Sequence, residues 1–190
     1  MKKLLSLFVI LFLAGMSSAY SQDMSNEEMA KWMEAMTPGA QQQMLAKSVG
    51  TWNLKNTMWM EPNSEPMVTT GTCVNEMLLG GRYLQGKITA QMMGMPFEGI
   101  SLTAYDNAAK QYQNTWIDNM GTGIMFTTGN IGADGKLTMT GTMVDPMTGK
   151  PCNIREVLIF DGDNKMTMEM YGPDRATGNE YKMMVIEYTR

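Results

Sequence analysis

The sequence predicts an all-β protein: a closed, antiparallel barrel of about ten strands, preceded by two short helices. Two observations carry this. From Trp52 to Arg190 the chain alternates short strand-like runs with turn residues, and no helical period interrupts them. The run also opens on Gly50-Thr51-Trp52 and stops on Tyr188-Thr189-Arg190, so its two ends offer an indole and a guanidinium to one another.

The elements follow in order. Lys2 and Lys3, the apolar run Leu4–Ala14 and the small-x-small site Ala19-Tyr20-Ser21 form a secretory signal peptide over 1–21, cleaved after about Ser21. Leu13-Ala14-Gly15 precedes Met16, where a lipid-anchored bacterial protein needs cysteine, so the expectation is a periplasmic or secreted protein with no membrane anchor. Residues 22–49 are expected to form helices covering the barrel. Ser25 and Glu28 have capping-box spacing, and Met29, Trp32, Met33 and Met36 make one apolar stripe. Thr37 is then the expected N-cap of a second helix, with Pro38 in its first turn, Met44 and Leu45 on its apolar side and Gly50 breaking it.

Residues 50–190 are the barrel domain, with strands expected near 51–60, 67–79, 82–93, 97–105, 111–119, 122–130, 136–144, 152–160, 165–172 and 180–190. Gly80-Gly81, Asp134-Gly135, Thr148-Gly149 and Asp161-Gly162 supply turn residues between them. Met166, Met168 and Met170 alternate with Thr167, Glu169 and Tyr171, which puts the methionines on the packed face. Cys73 and Cys152 fall on the second and eighth strands, which a meander does not make neighbours. Two unpaired thiols are favoured over a bridge.

Composition narrows function mainly by exclusion. There is no histidine, which removes Ser-His-Asp and Cys-His nucleophiles, histidine zinc sites and histidine-ligated haem. Removing residues 1–21 takes away two lysines and moves the net charge from −4 to −6, so nucleic acid is not an expected partner. Methionine numbers 24. Thioethers suit Cu(I), but flexible filling of a core or cavity is the preferred reading, and no metal or cofactor is expected. Arg82, Asp118, Arg155 and Glu169 lie within strands. Arg155 shares a face with Val157 and Ile159, and Asp118 shares one with Tyr112 and Trp116, so these charges are read as an inward polar cluster.

Gly50-Thr51-Trp52 resembles the opening of lipocalin and fatty-acid-binding barrels. Longer runs resemble a bacterial domain-of-unknown-function family, the fifteen-seventy-nine family. They include Met58-Trp59-Met60-Glu61-Pro62, Leu79-Gly80-Gly81-Arg82, Trp116-Ile117-Asp118, Pro146-Met147-Thr148-Gly149, Arg155-Glu156-Val157 and Glu187-Tyr188-Thr189-Arg190. The resemblance implies a calycin-like barrel and no established activity.

The expected function is binding of a small, partly apolar and possibly anionic molecule in the barrel. Arg82, Trp116, Asp118, Arg155 and Glu169 are the expected ligand-binding residues, with Trp52 and Arg190 closing the structure. The alternatives are a filled barrel with a structural or interaction role, and an enzyme using Asp118 or Glu169 as general base. No catalytic residue is assigned.

Overall fold

A computed structural model describes residues 24–190; the signal-peptide expectation lies outside the described residues. The described residues up to Met36 (24–36) and the span Thr37–Arg190 belong to two separate compact units. The first holds helix α1, Asn26–Met36. Its capping box forms as spaced: the Glu28 amide donates to Ser25 Oγ at 3.2 Å and the Ser25 amide to Glu28 Oε2 at 2.8 Å. Met29, Trp32, Met33 and Met36 are exposed.

The second unit opens with α2, Ala40–Ala46. Its N-cap is Gly39 rather than Thr37: the Gly39 amide donates to Gln42 Oε1 at 2.8 Å, so a side chain in the first turn does the capping. Ten strands follow: β1 Gly50–Met58, β2 Met67–Leu78, β3 Tyr83–Met92, β4 Met95–Asp106 and β5 Gln111–Asp118, then β6 Met125–Ile131, β7 Leu137–Val144, β8 Pro151–Phe160, β9 Lys165–Pro173 and β10 Glu180–Thr189. Every strand pairs antiparallel with its sequence neighbours, and β1 pairs with β10, closing the ring in the order β1-β10-β9-β8-β7-β6-β5-β4-β3-β2. Closure leaves no unpaired edge.

Most strand ends shift by one to three residues from the sequence reading, and two of the differences bear on the site. Arg82 lies in the β2–β3 turn, where its amide bonds back to Leu78 O, so β3 begins one residue later. The β3–β4 connection is the two-residue turn Met93-Gly94, both at positive φ, a tighter hairpin than the sequence announced because methionine is unusual there.

The period of two sorts the side chains. Trp52, Leu54, Cys73, Ile88, Met166, Ile186 and Tyr188 form one buried cluster inside the ring. Leu45, Leu84, Tyr112, Leu137 and Met139 form another. Leu45 comes from α2, so this helix plugs the end where β1 starts. Gln42 fixes it there, its Nε2 donating to Tyr105 O at 3.0 Å and to Asn107 Oδ1 at 3.1 Å.

Candidate functional site

Exposure of the inner-face side chains changes along the barrel axis. At the α2 end most are sealed, with Leu137 0% exposed, Tyr112 2% and Trp52 3%, while Ile131 and Phe160 at the strand ends remain open to solvent. At the opposite end the inward positions Met58, Met67, Met92, Met125, Met143, Met170 and Met184 are only half-buried. The barrel therefore has a plugged end and a mouth.

Two walls line the mouth. Strand register makes Met67, Met58, Met184 and Met170 consecutive cross-strand neighbours on β2, β1, β10 and β9. A bulge between Lys182 and Met184 adds another: Met183 turns inward, its Sδ only 2.7 Å from where a Cβ on Gly172 would stand. Across the ring, Phe97 and Trp116 stack with centroids 6.3 Å apart. Trp116 lies over Gly99, where an added Cβ would come within 2.3 Å of its Cη2. Its Nε1 donates to Asp118 Oδ2 at 2.7 Å, and Asp118 Oδ1 accepts the Met120 amide at 2.9 Å. Phe97, Trp116, Met168 and Met184 all pack on the first core cluster, so both walls reach the same interior.

Deeper in, the barrel turns polar. Thr103, Asn114 and Thr127 are successive cross-strand partners, and Thr103 Oγ1 donates to Asn114 Oδ1 at 3.0 Å. Thr127 Oγ1 donates to Glu156 Oε2 at 2.9 Å. Glu156 is the next neighbour of Met170 in the methionine row and is 5% exposed. Burial pushes its carboxyl above the ordinary glutamate range, against the Thr127 hydrogen bond, which works the other way. On the far side, Asn75 Nδ2 donates to Ser48 O at 3.0 Å, beside the buried Cys73 thiol, which burial pushes up to about 11. Cys73 and Cys152 are both free thiols.

The structure does not bring Arg82, Asp118 and Arg155 together. Asp118 and Trp116 are on the inner wall at the mouth. Arg82 is exposed in its turn at the plugged end, its guanidinium donating to Leu79 O at 3.1 Å. Arg155 faces outward, a correction to the inward reading. It donates to Glu180 through Nε at 3.0 Å and Nη2 at 2.6 Å, and stacks 3.9 Å from the Tyr171 ring centroid. Glu169 is outward too, accepting from Lys182 and from Tyr171 Oη. Those two bonds hold its carboxyl below the usual range even though partial burial opposes them.

The reason is parity. Ile154 and Leu158 flank Glu156 as convincingly as Val157 and Ile159 accompany Arg155, and a shift of one residue exchanges the faces. Glu156 was thus within reach of the sequence and lost to an ambiguous alternation. Met183 carried no signal, because only the bulge turns it inward.

A cleft of about 250 Å³ also lies at the plugged end, lined by Met44, Ser48, Trp52, Phe160, Lys165 and Met166. Trp52 and Met166 of the first core cluster form its floor, and none of Thr103, Asn114, Thr127 and Glu156 lines it.

Ten antiparallel strands in a closed ring, one end plugged and the other lined by half-buried apolar side chains, define a closed β-barrel protein. The chain belongs to the family described as proteins of unknown function (DUF1579), which matches residues 37–190. Among solved structures it is similar to Rv2717c from M. tuberculosis, with TM-score 0.59 and 14% identity over 81% of this chain and 99% of that one. It is also similar to the S-type phycobiliprotein lyase CPES from Guillardia theta, with TM-score 0.56 and 7% identity over 84% and 96%. At these identities the likeness is one of fold. No curated protein matches.

Proposed function

We propose that this chain is an exported carrier or sensor of a small, mainly apolar molecule that enters the barrel at the methionine mouth. The observation that carries the reading is the exposure gradient: most of the inner face is sealed beneath α2, and it is half-exposed at the other end. A ligand body would lie between Phe97 and Trp116 on one side and Met168, Met170 and Met184 on the other. Flexible thioethers adapt to an irregular shape, and the rigid indole fixes one plane. A polar group on the ligand would reach Glu156 and Thr127. The similar barrel from Guillardia theta is named a phycobiliprotein lyase, which accords with small-molecule chemistry on this plan. Export rests on the leader-like pattern at Lys2, Lys3 and Ala19–Ser21.

Native mass spectrometry of protein purified from its own host tests this. The reading expects a polypeptide beginning near Gln22 that carries added mass removable by organic solvent. Met170→Arg, which sets a charge on a partly exposed part of the wall, should discharge that mass without loss of circular dichroism. A chain without added mass would favour the filled-barrel reading.

A further inference from the structure

The methionine row at the mouth holds more sulfur than an apolar wall requires. Met58, Met184 and Met170 sit directly opposite one another on three adjacent strands, with Met67 next in line. Directly paired side chains start about 5 Å apart, and each methionine has three rotatable bonds with which to converge. Met183 joins them from the bulge, its sulfur seated over Gly172, which is two residues from Met170 on the same inner face. Adapting to an apolar ligand does not require five methionines side by side. The bulge re-aims one more thioether into the row that already has the most.

We infer that Met58, Met170, Met183 and Met184 form a binding site for a soft monovalent metal ion, Cu(I) or its analogue Ag(I), at the barrel mouth. Neutral, polarisable thioethers suit such ions and discriminate against Mg²⁺, Ca²⁺ and Zn²⁺, which take oxygen, nitrogen or thiolate ligands. Among the described residues no group of three or more Cys, Asp or Glu could hold a harder cation. The site differs from the one that alternation along β9 suggests. Met166 is buried in the core at 7% exposure and lies at the plugged end, whereas Met58, Met170, Met183 and Met184 are half-buried at the mouth. Half-burial excludes most water from the sulfurs and still leaves an entry path.

The test is an anaerobic competition for Cu(I) against bicinchoninate, run on the full mature chain. Cys152, an inward thiol at the same end, is replaced by Ser; Cys73 stays, sealed in the core. The expected result is one Cu(I) taken from the chelator by the Cys152→Ser protein. Its affinity should fall about tenfold or more when Met170→Leu and Met184→Leu are added. Leucine keeps the volume of the wall, so loss of Cu(I) affinity with unchanged circular dichroism reads ligation rather than unfolding; the carrier reading is tested separately, by the organic mass carried by host-purified protein. X-ray absorption of the Cu(I)-loaded Cys152→Ser protein gives a second readout that does not depend on the leucine variants folding. About three sulfur ligands are expected, more than the single remaining thiol can provide. Failure to withdraw Cu(I) from the chelator, unchanged affinity in the leucine variant, or a shell of oxygen and nitrogen would each overturn the inference.

Discussion

The Arg190 guanidinium lies 4.2 Å from the centroid of the Trp52 ring, so the last residue of the barrel seals the first strand. It also ties three carbonyls together, with Nη1 donating to Val49 O at 2.6 Å, Nη2 to Lys47 O at 3.1 Å and Nε to Asp163 O at 2.9 Å. The indole is held from beneath, its Nε1 donating to Ser48 O at 2.8 Å.

Arg190→Ala should therefore lower stability by about 1–3 kcal/mol, combining a cation–π contact with hydrogen bonds made by a charged donor. Arg190→Lys should recover less than half, because an ammonium lacks the planar fork that spans three acceptors. Urea unfolding followed by circular dichroism reads both.

Glu156 predicts a pH dependence of definite sign. Its folded pKa is raised above the unfolded value, so between the two the native state binds more protons than the unfolded state. Stability should fall as pH rises through that window and level off above it. Glu156→Gln keeps an acceptor for Thr127 and removes the charge. It should flatten this part of the profile and stabilise the protein at pH 8, measured as the urea midpoint across pH.

Gly99→Ala should cost about 1–3 kcal/mol, since the new methyl meets the Trp116 ring and cannot be absorbed without displacing the indole. A shift of tryptophan emission that is absent in a Trp116→Phe background would locate the disturbance.

The outer ladder of Arg155, Tyr171 and Glu180 should matter little. Arg155→Met is expected to change stability by less than about 1 kcal/mol, the usual range for a partly exposed pair, and to leave probe binding unaltered. A loss of binding in calorimetric titration would return Arg155 to the site.

The architecture was largely legible because strand alternation and turn chemistry are local signals, and because Trp52 and Arg190 mark both ends of the ring. Facing was less legible. In β9 the Met166, Met168 and Met170 alternation has a plainly polar opposite face, and the structure turns these three inward. In β8 both faces carry apolar residues, with Ile154 and Leu158 on one and Val157 and Ile159 on the other, so Arg155 and Glu156 were interchangeable on pattern alone. The mouth was not legible either, because which end of a barrel is plugged depends on where α2 packs, and the strand residues that receive it, such as Leu84, Tyr112 and Leu137, read in sequence like any other inward positions.

The most direct test is nuclear magnetic resonance of protein labelled with ¹³C in its methionine methyl groups, titrated with 1-anilinonaphthalene-8-sulfonate. The account predicts shifts at Met58, Met168, Met170 and Met184, with Met44 and Met166 at the plugged end unmoved. Shifts confined to Met44 and Met166, or to the exposed Met29, Met33 and Met36 of α1, would contradict it.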